Sequence, residues 1–176
     1  MDIEGAAPSA VAAVETDLSL MYFPVSLPKL VVMSICTLGL YEIYWQFCHW
    51  TYIRDYEKSN ISPGWRGLTW IVFCYPLFRR IKRTSRLMEL PSTPSAGPLA
   101  LGWIFFVLLG PTPLFFLSFF SVLFLLPVQK AANSINAQTD PDHDPNDKFS
   151  VWNKVAIVFG GLTAILALVG VLLGPR

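Results

Sequence analysis

Residues 99–128 form a run of thirty positions without one charged side chain. As helix this would measure about 45 Å at 1.5 Å per residue, against about 30 Å for the hydrocarbon core of a bilayer. A chain of 176 residues, 53% apolar and 14% charged, has too small an interior to hide such a run together with its other apolar stretches. Ordinary globular chains carry about 25% charge. The charges here fall mostly in short blocks, at Lys29 and over 54–58, 79–86 and 140–154, with long uncharged stretches between them. That is the pattern of loops and membrane spans. The expectation is an all-α, polytopic helical membrane protein with four or five transmembrane helices, one of them re-entrant if it does not cross. Strict alternation of polarity, which a barrel requires, is absent.

Within the long run, Gly110, Pro111 and Pro113 fall near the middle. Proline inside a helix removes a hydrogen bond at a cost of about 3 kcal/mol or more. The reading favoured is therefore a helical hairpin with a short first arm over 99–110 and a second over 114–136, the alternative being one kinked helix. The other apolar segments are 27–52, 65–78 and 151–173. The first is expected to be one span, opened by Ser26 as a cap and Pro28 in the first turn. The second is short for a span of about 17–25 residues, so it either crosses with Arg66 and Arg79 reaching outward or turns back. Residues 1–26 carry Asp2, Glu4, Glu15 and Asp17 and no basic residue, and lack the basic start and apolar run of a cleavable leader. They are read as a mobile or surface-lying tail, and 27–176 as a single helical membrane domain.

The basic run Arg79, Arg80, Lys82, Arg83 and Arg86 is expected on the cytoplasmic side. It is also a candidate contact for anionic lipid. If 65–78 crosses, the amino terminus lies inside as well, and if it turns back the amino terminus lies outside.

Glu42, Gln46 and His49, spaced four and then three apart, form a polar ridge on a helix. An acidic side chain at mid-bilayer costs about 2.5–3.5 kcal/mol on insertion scales, so the ridge should face other helices. Either it is an interhelical hydrogen-bonded seam, or Glu42 is a proton or cation site with His49 as relay. Gln129, Asn133 and Asn136 share one side of the segment that follows the proline break. They are read as amides that hydrogen-bond a neighbouring helix or line a polar path. Gly160 and Gly161, with Ala156 and Ala164, offer small surfaces for close helix packing.

Other features point to no chemistry. Asp140, Asp142 and Asp144 alternate like the start of a calcium loop, but Pro145 and Val151 stand where that loop needs Gly and Glu. Cys36, Cys48 and Cys74 are odd in number and lie in apolar stretches, which reads as small apolar side chains. Ser34, Ser118 and Ser121 are expected to bond back to the preceding turn. No metal or other cofactor, no enzymatic activity and no nucleic-acid partner is expected, the net charge being only +1.

The run Thr37-Leu38-Gly39-Leu40-Tyr41-Glu42-Ile43-Tyr44-Trp45, preceded by Phe23-Pro24-Val25-Ser26, resembles the signature of an uncharacterised family of small bacterial inner-membrane proteins with a domain of unknown function. Val128, Gln129, Asn133, Asn136 and the run 149–160 resemble companion motifs in that family. The short piece before Pro111 departs from a full-length third span. The resemblance implies a bacterial inner-membrane setting and no particular reaction. The expectation is a structural or interaction role in that membrane, with lipid, another copy or another membrane protein as partner. The alternative is a small transporter or ion- or proton-conducting subunit built on the Glu42 ridge.

Overall fold

The computed structural model describes residues 20–91 and 93–173, and all regular structure among them is helical. Seven α-helices follow in order: α1 (Leu27–Cys36), α2 (Leu40–Glu57), α3 (Pro63–Leu68), α4 (Trp70–Leu87), α5 (Ala96–Leu108), α6 (Val122–Thr139) and α7 (Val151–Leu173), with a 3-10 helix, Phe115–Ser121, leading into α6. Among the described residues, Phe115–Thr139 and Val151–Val171 are the two helices long and apolar enough to cross a membrane.

The segment 27–52 is not one helix. It breaks after Cys36, where Leu38 and Gly39 take left-handed backbone angles (φ 54° and 85°). The Gly39 N–H reaches back to the Ser34 carbonyl at 2.8 Å, closing a Schellman turn. Thr37 serves both helices, its Oγ1 donating to Met33 O at 2.7 Å and accepting from Tyr41 N at 2.9 Å. The chain thus runs out along α1 and back along α2. Met21 and Tyr22, before α1, and Glu57, at the end of α2, line the same cavity. Ser26 holds the cap position of α1 but makes no side-chain capping bond.

Segment 65–78 is likewise divided. Thr69 ends α3, bonding back to Trp65 O at 2.7 Å, and α4 then runs through the whole basic stretch to Leu87. Arg66 on α3 lies over the ring of Trp50, 4.2 Å from its centroid. On α4 the buried side chains Cys74, Leu77, Phe78, Ile81 and Ser85 recur at helical spacing, leaving the arginines on the outer face.

The proline break gives a hairpin with a short first arm: α5 ends at Leu108, and the 3-10 helix and α6 return beside it. Gly102 lies against the ring of Phe124, so the two arms approach more closely there than any side chain would permit. α7 docks on α1 through Gly160, which meets the Cys36 carbonyl. None of its described side chains is buried.

The expected tail needs shortening. Residues 20–26 form no helix and are packed into the body, with Tyr22, Phe23 and Val25 buried. Residues 1–19, with the four acidic side chains, lie outside the described residues.

Candidate functional site: a buried polar core

α2 places Glu42, Gln46 and His49 on one face, and that face is buried; each of the three is exposed by 2% or less. Burial of a carboxylate requires donors, and both oxygens of Glu42 have one. Trp103 Nε1 on α5 donates to Oε2 at 2.6 Å, and Ser121 Oγ donates to Oε1 at 2.8 Å. Ser34 lies beside the same carboxylate, but its Oγ makes no bond of acceptable geometry. Of the three serines expected to bond back to their own turn, only Ser118 does so, to Phe115 O at 2.6 Å. Ser121 instead serves an acid 79 positions away, because a buried carboxylate competes for its proton better than a carbonyl already bonded within a helix. A cavity of about 110 Å³ adjoins Glu42, lined in part by Gly39, Trp70, Trp103 and Ser118.

About two turns along α2 from Glu42, His49 meets α6. Its Nε2 lies 3.1 Å from Gln129 Oε1, and Trp45 Nε1 donates to the same oxygen at 2.5 Å. An amide oxygen only accepts, so Nε2 carries the proton and Nδ1, which has no partner, does not. Between the two bonded residues Gln46 is fully buried, and neither of its amide atoms has a partner among the described residues.

Besides the bonds of Gln129 Oε1 to Trp45 and His49 on α2, the α6 amides bond to the backbone of the segment before α1. Asn136 brackets Tyr22, accepting from its N–H at 3.2 Å and donating to its carbonyl at 2.7 Å. Gln129 Nε2 donates to Phe23 O at 3.1 Å and Asn133 Nδ2 to Val25 O at 2.9 Å. Pro24 O, the carbonyl between them, accepts from Asn146 Nδ2 at 2.9 Å. Four successive carbonyls of a buried non-helical segment thus each take an amide side chain. The physical reason is that such a segment has no helix or sheet to satisfy it, and an unpaired buried carbonyl is costly. Gln129 thus bonds a neighbouring helix as expected, through Trp45 and His49 on α2, while its amide nitrogen, Asn133 and Asn136 serve this segment.

Asn146 also accepts from the buried Lys29, Nζ to Oδ1 at 2.7 Å, while Lys29 donates to Lys148 O at 2.6 Å. The alternating aspartates fold as turns: Asp140 Oδ1 accepts from Asp142 N at 3.3 Å and Asp144 Oδ1 from Asn146 N at 2.7 Å.

The basic run divides between two surfaces. Arg79, Arg80 and Arg83 line one cavity with Tyr22 and Glu57, and Arg80 is ion-paired with Glu57. Lys82 and Arg86 line another with Ser85 and Glu89. Tyr22, whose phenol burial pushes up, shares a hydrogen bond with Thr84 Oγ1 at 2.8 Å.

Sequence reasoning passed over Trp103 and Asn146, gave Ser121 a bond to its own turn, and named Trp45 only as part of the signature run. For Trp103 the only available signal was its indole N–H, a donor in an apolar run that needs an acceptor. No family model matches the chain, and no curated protein and no solved structure matches it.

Proposed function

We propose that this chain is an integral protein of the bacterial inner membrane, with a structural or interaction role and no catalytic activity. The observation that carries this reading is α7. It is 23 residues long, none of its side chains from Val151 to Val171 is buried, and Val158, Phe159, Leu162, Ile165 and Leu166 are each more than half exposed. Apolar surface left in water costs about 25 cal/mol per Å², and acyl chains remove that cost. The outer faces of other helices add Val72, Leu101, Phe105 and Leu123, all more than half exposed. The resemblance of residues 37–45 to a family signature supports the bacterial setting.

In this reading α7 and α6 with its 3-10 lead-in cross the bilayer, and α5, about 20 Å of helix over 13 residues, makes its crossing together with the apolar turn that follows it. α1, with 10 residues, reaches only about 15 Å, half the hydrocarbon depth. The hairpin of α1 and α2 is then re-entrant, and the bonded Glu42 ridge is the seam that joins it to α5 and α6. Membranes carrying the chain, washed with alkaline carbonate, should retain it in the pellet; release into the supernatant would sink the proposal.

One observation favours the second reading, a transporter or ion- or proton-conducting subunit: Gln46 is unpartnered and a small cavity adjoins Glu42. Glu42→Gln separates the two. In proteoliposomes under a pH gradient, a seam leaves proton flux at the wild-type level. A relay loses it.

A further inference from the structure

The cavity at the basic end of α4 is built differently from the rest of the surface. It has a volume of about 600 Å³ and lies between α4, the end of α2 and the segment before α1. Ligand sites commonly hold about 300–1,000 Å³. Arg79, Arg80 and Arg83 line it together with Met21, Tyr75 and Leu87. Three guanidiniums thus face one carboxylate, Glu57, and that carboxylate is engaged by Arg80. Arg79 and Arg83, one helical turn apart, have no ion-pair partner among the described residues.

Arginine presents a planar fork that matches phosphate oxygens, and two forks at this spacing can grip one phosphate from the same side. Apart from Thr84 and the Tyr22 hydroxyl, which bond each other, the remaining lining is mainly apolar, and beyond Tyr75 the same side of α4 carries Val72, the two being 45% and 68% exposed. A ligand whose phosphate sat between the arginines would lay its attached chain along that strip. A free phosphate would use only the polar half.

We infer that this cavity binds the phosphate headgroup of an anionic phospholipid, with Arg79 and Arg83 as its principal contacts and Glu57 holding Arg80 partly in check. This goes further than lipid attraction to the basic run as a whole, since it divides that run: Lys82 and Arg86 face a smaller cavity of about 300 Å³ and make no part of the site. It rests on the membrane reading above, but its test does not require a membrane.

The experiment is equilibrium binding of fluorescent phosphatidylglycerol to the full chain in neutral detergent. Saturable binding is expected, displaced by unlabelled phosphatidylglycerol and not by phosphatidylcholine or inorganic phosphate. Arg79→Gln with Arg83→Gln should weaken it about thirtyfold, the effect of two guanidiniums. Lys82→Gln with Arg86→Gln removes the same charge and should weaken it by no more than about threefold, since charges beyond the contact are screened. Glu57→Gln, which releases Arg80, should tighten binding and so tests the site without relying on the arginine variants to fold. Equal losses in the two double variants, unsaturable uptake, or no gain from Glu57→Gln would overturn the site. Displacement by inorganic phosphate would reassign it to a soluble anion and overturn the lipid. Because these readings come from purified protein, their failure leaves the carbonate wash unaffected, and release of the chain in that wash leaves them standing.

Discussion

Asn136 carries more of the fold than any polar residue on the surface. Both polar ends of its side chain are committed to the backbone of Tyr22, 114 positions earlier, and all of those atoms are buried. Asn136→Ala should therefore destabilise the protein by about 1–3 kcal/mol, the cost of stranding buried polar groups. Thermal unfolding in detergent reads this directly, with Ser134→Ala as the comparison, since Ser134 Oγ only bonds back to Lys130 O on an exposed turn. A midpoint for Asn136→Ala within a degree of the Ser134 variant would remove the amide row as a structural device. At this scale the sequence was half legible. Polar residues four and three apart in an apolar helix have to face inward, so the burial of Glu42, Gln46 and His49 and the shared side of Gln129, Asn133 and Asn136 could be read from spacing alone. Their partners could not: Trp103 and Ser121 lie 61 and 79 positions from Glu42, and nothing local encodes which donor a carboxylate meets.

Elements were legible where breaks are written in proline and illegible where they are written in ordinary residues. Pro111 and Pro113 mark the hairpin of α5 and α6, and the Asp and Pro loop marks the start of α7. The ends of α1, α2 and α4 instead use Leu38, Lys58 and Glu89 in left-handed angles (φ 54°, 48° and 54°), where glycine is the expected sign. Each is held by a bond from the next residue back five positions, Gly39 to Ser34, Ser59 to Arg54 and Leu90 to Ser85. A non-glycine residue in that region costs about 1–2 kcal/mol, so the turns persist because packing on both sides holds them. The Gly160 and Gly161 pair shows the same limit. Both read as packing surfaces, but only the rotation of α7 against α1 decides which is used. A side chain at 160 would strike the Cys36 carbonyl, and one at 161 meets nothing. Gly160→Val should loosen α7 from α1 at a cost of about 1–3 kcal/mol, the usual range for overpacking, and speed proteolysis in the 140–150 loop. Gly161→Ala should leave both unchanged. Equal behaviour of the two variants would mean that α7 does not dock through this face.

The whole molecule has a polar end that the order of segments concealed. The Tyr22 hydroxyl bonds Thr84 on α4, the Asn146 side chain bonds Pro24, and Glu57 pairs with Arg80. The segment before α1, the end of α2, the basic half of α4 and the loop before α7 therefore meet in one region. Counting 27–52 as a single span would place Asn60 opposite residue 26; the α1–α2 hairpin returns it to the same side. In the proposed arrangement the segment before α1 and the arginines therefore share a face. With the basic run cytoplasmic, reporter fusions after Asn60, Thr93 and Asp144 should all register as cytoplasmic. One after Pro113, in the turn between α5 and α6, should register on the far side. The prediction is sharp because a chain of four or five full spans must alternate sides at successive loops, whereas the proposed arrangement, with the loops after α2 and α4 on one side and α5, α6 and α7 crossing, gives three cytoplasmic loops interrupted once. A far-side signal after Asn60 would mean that α1 and α2 traverse as one helix in the bilayer, and the re-entrant arrangement would have to be abandoned.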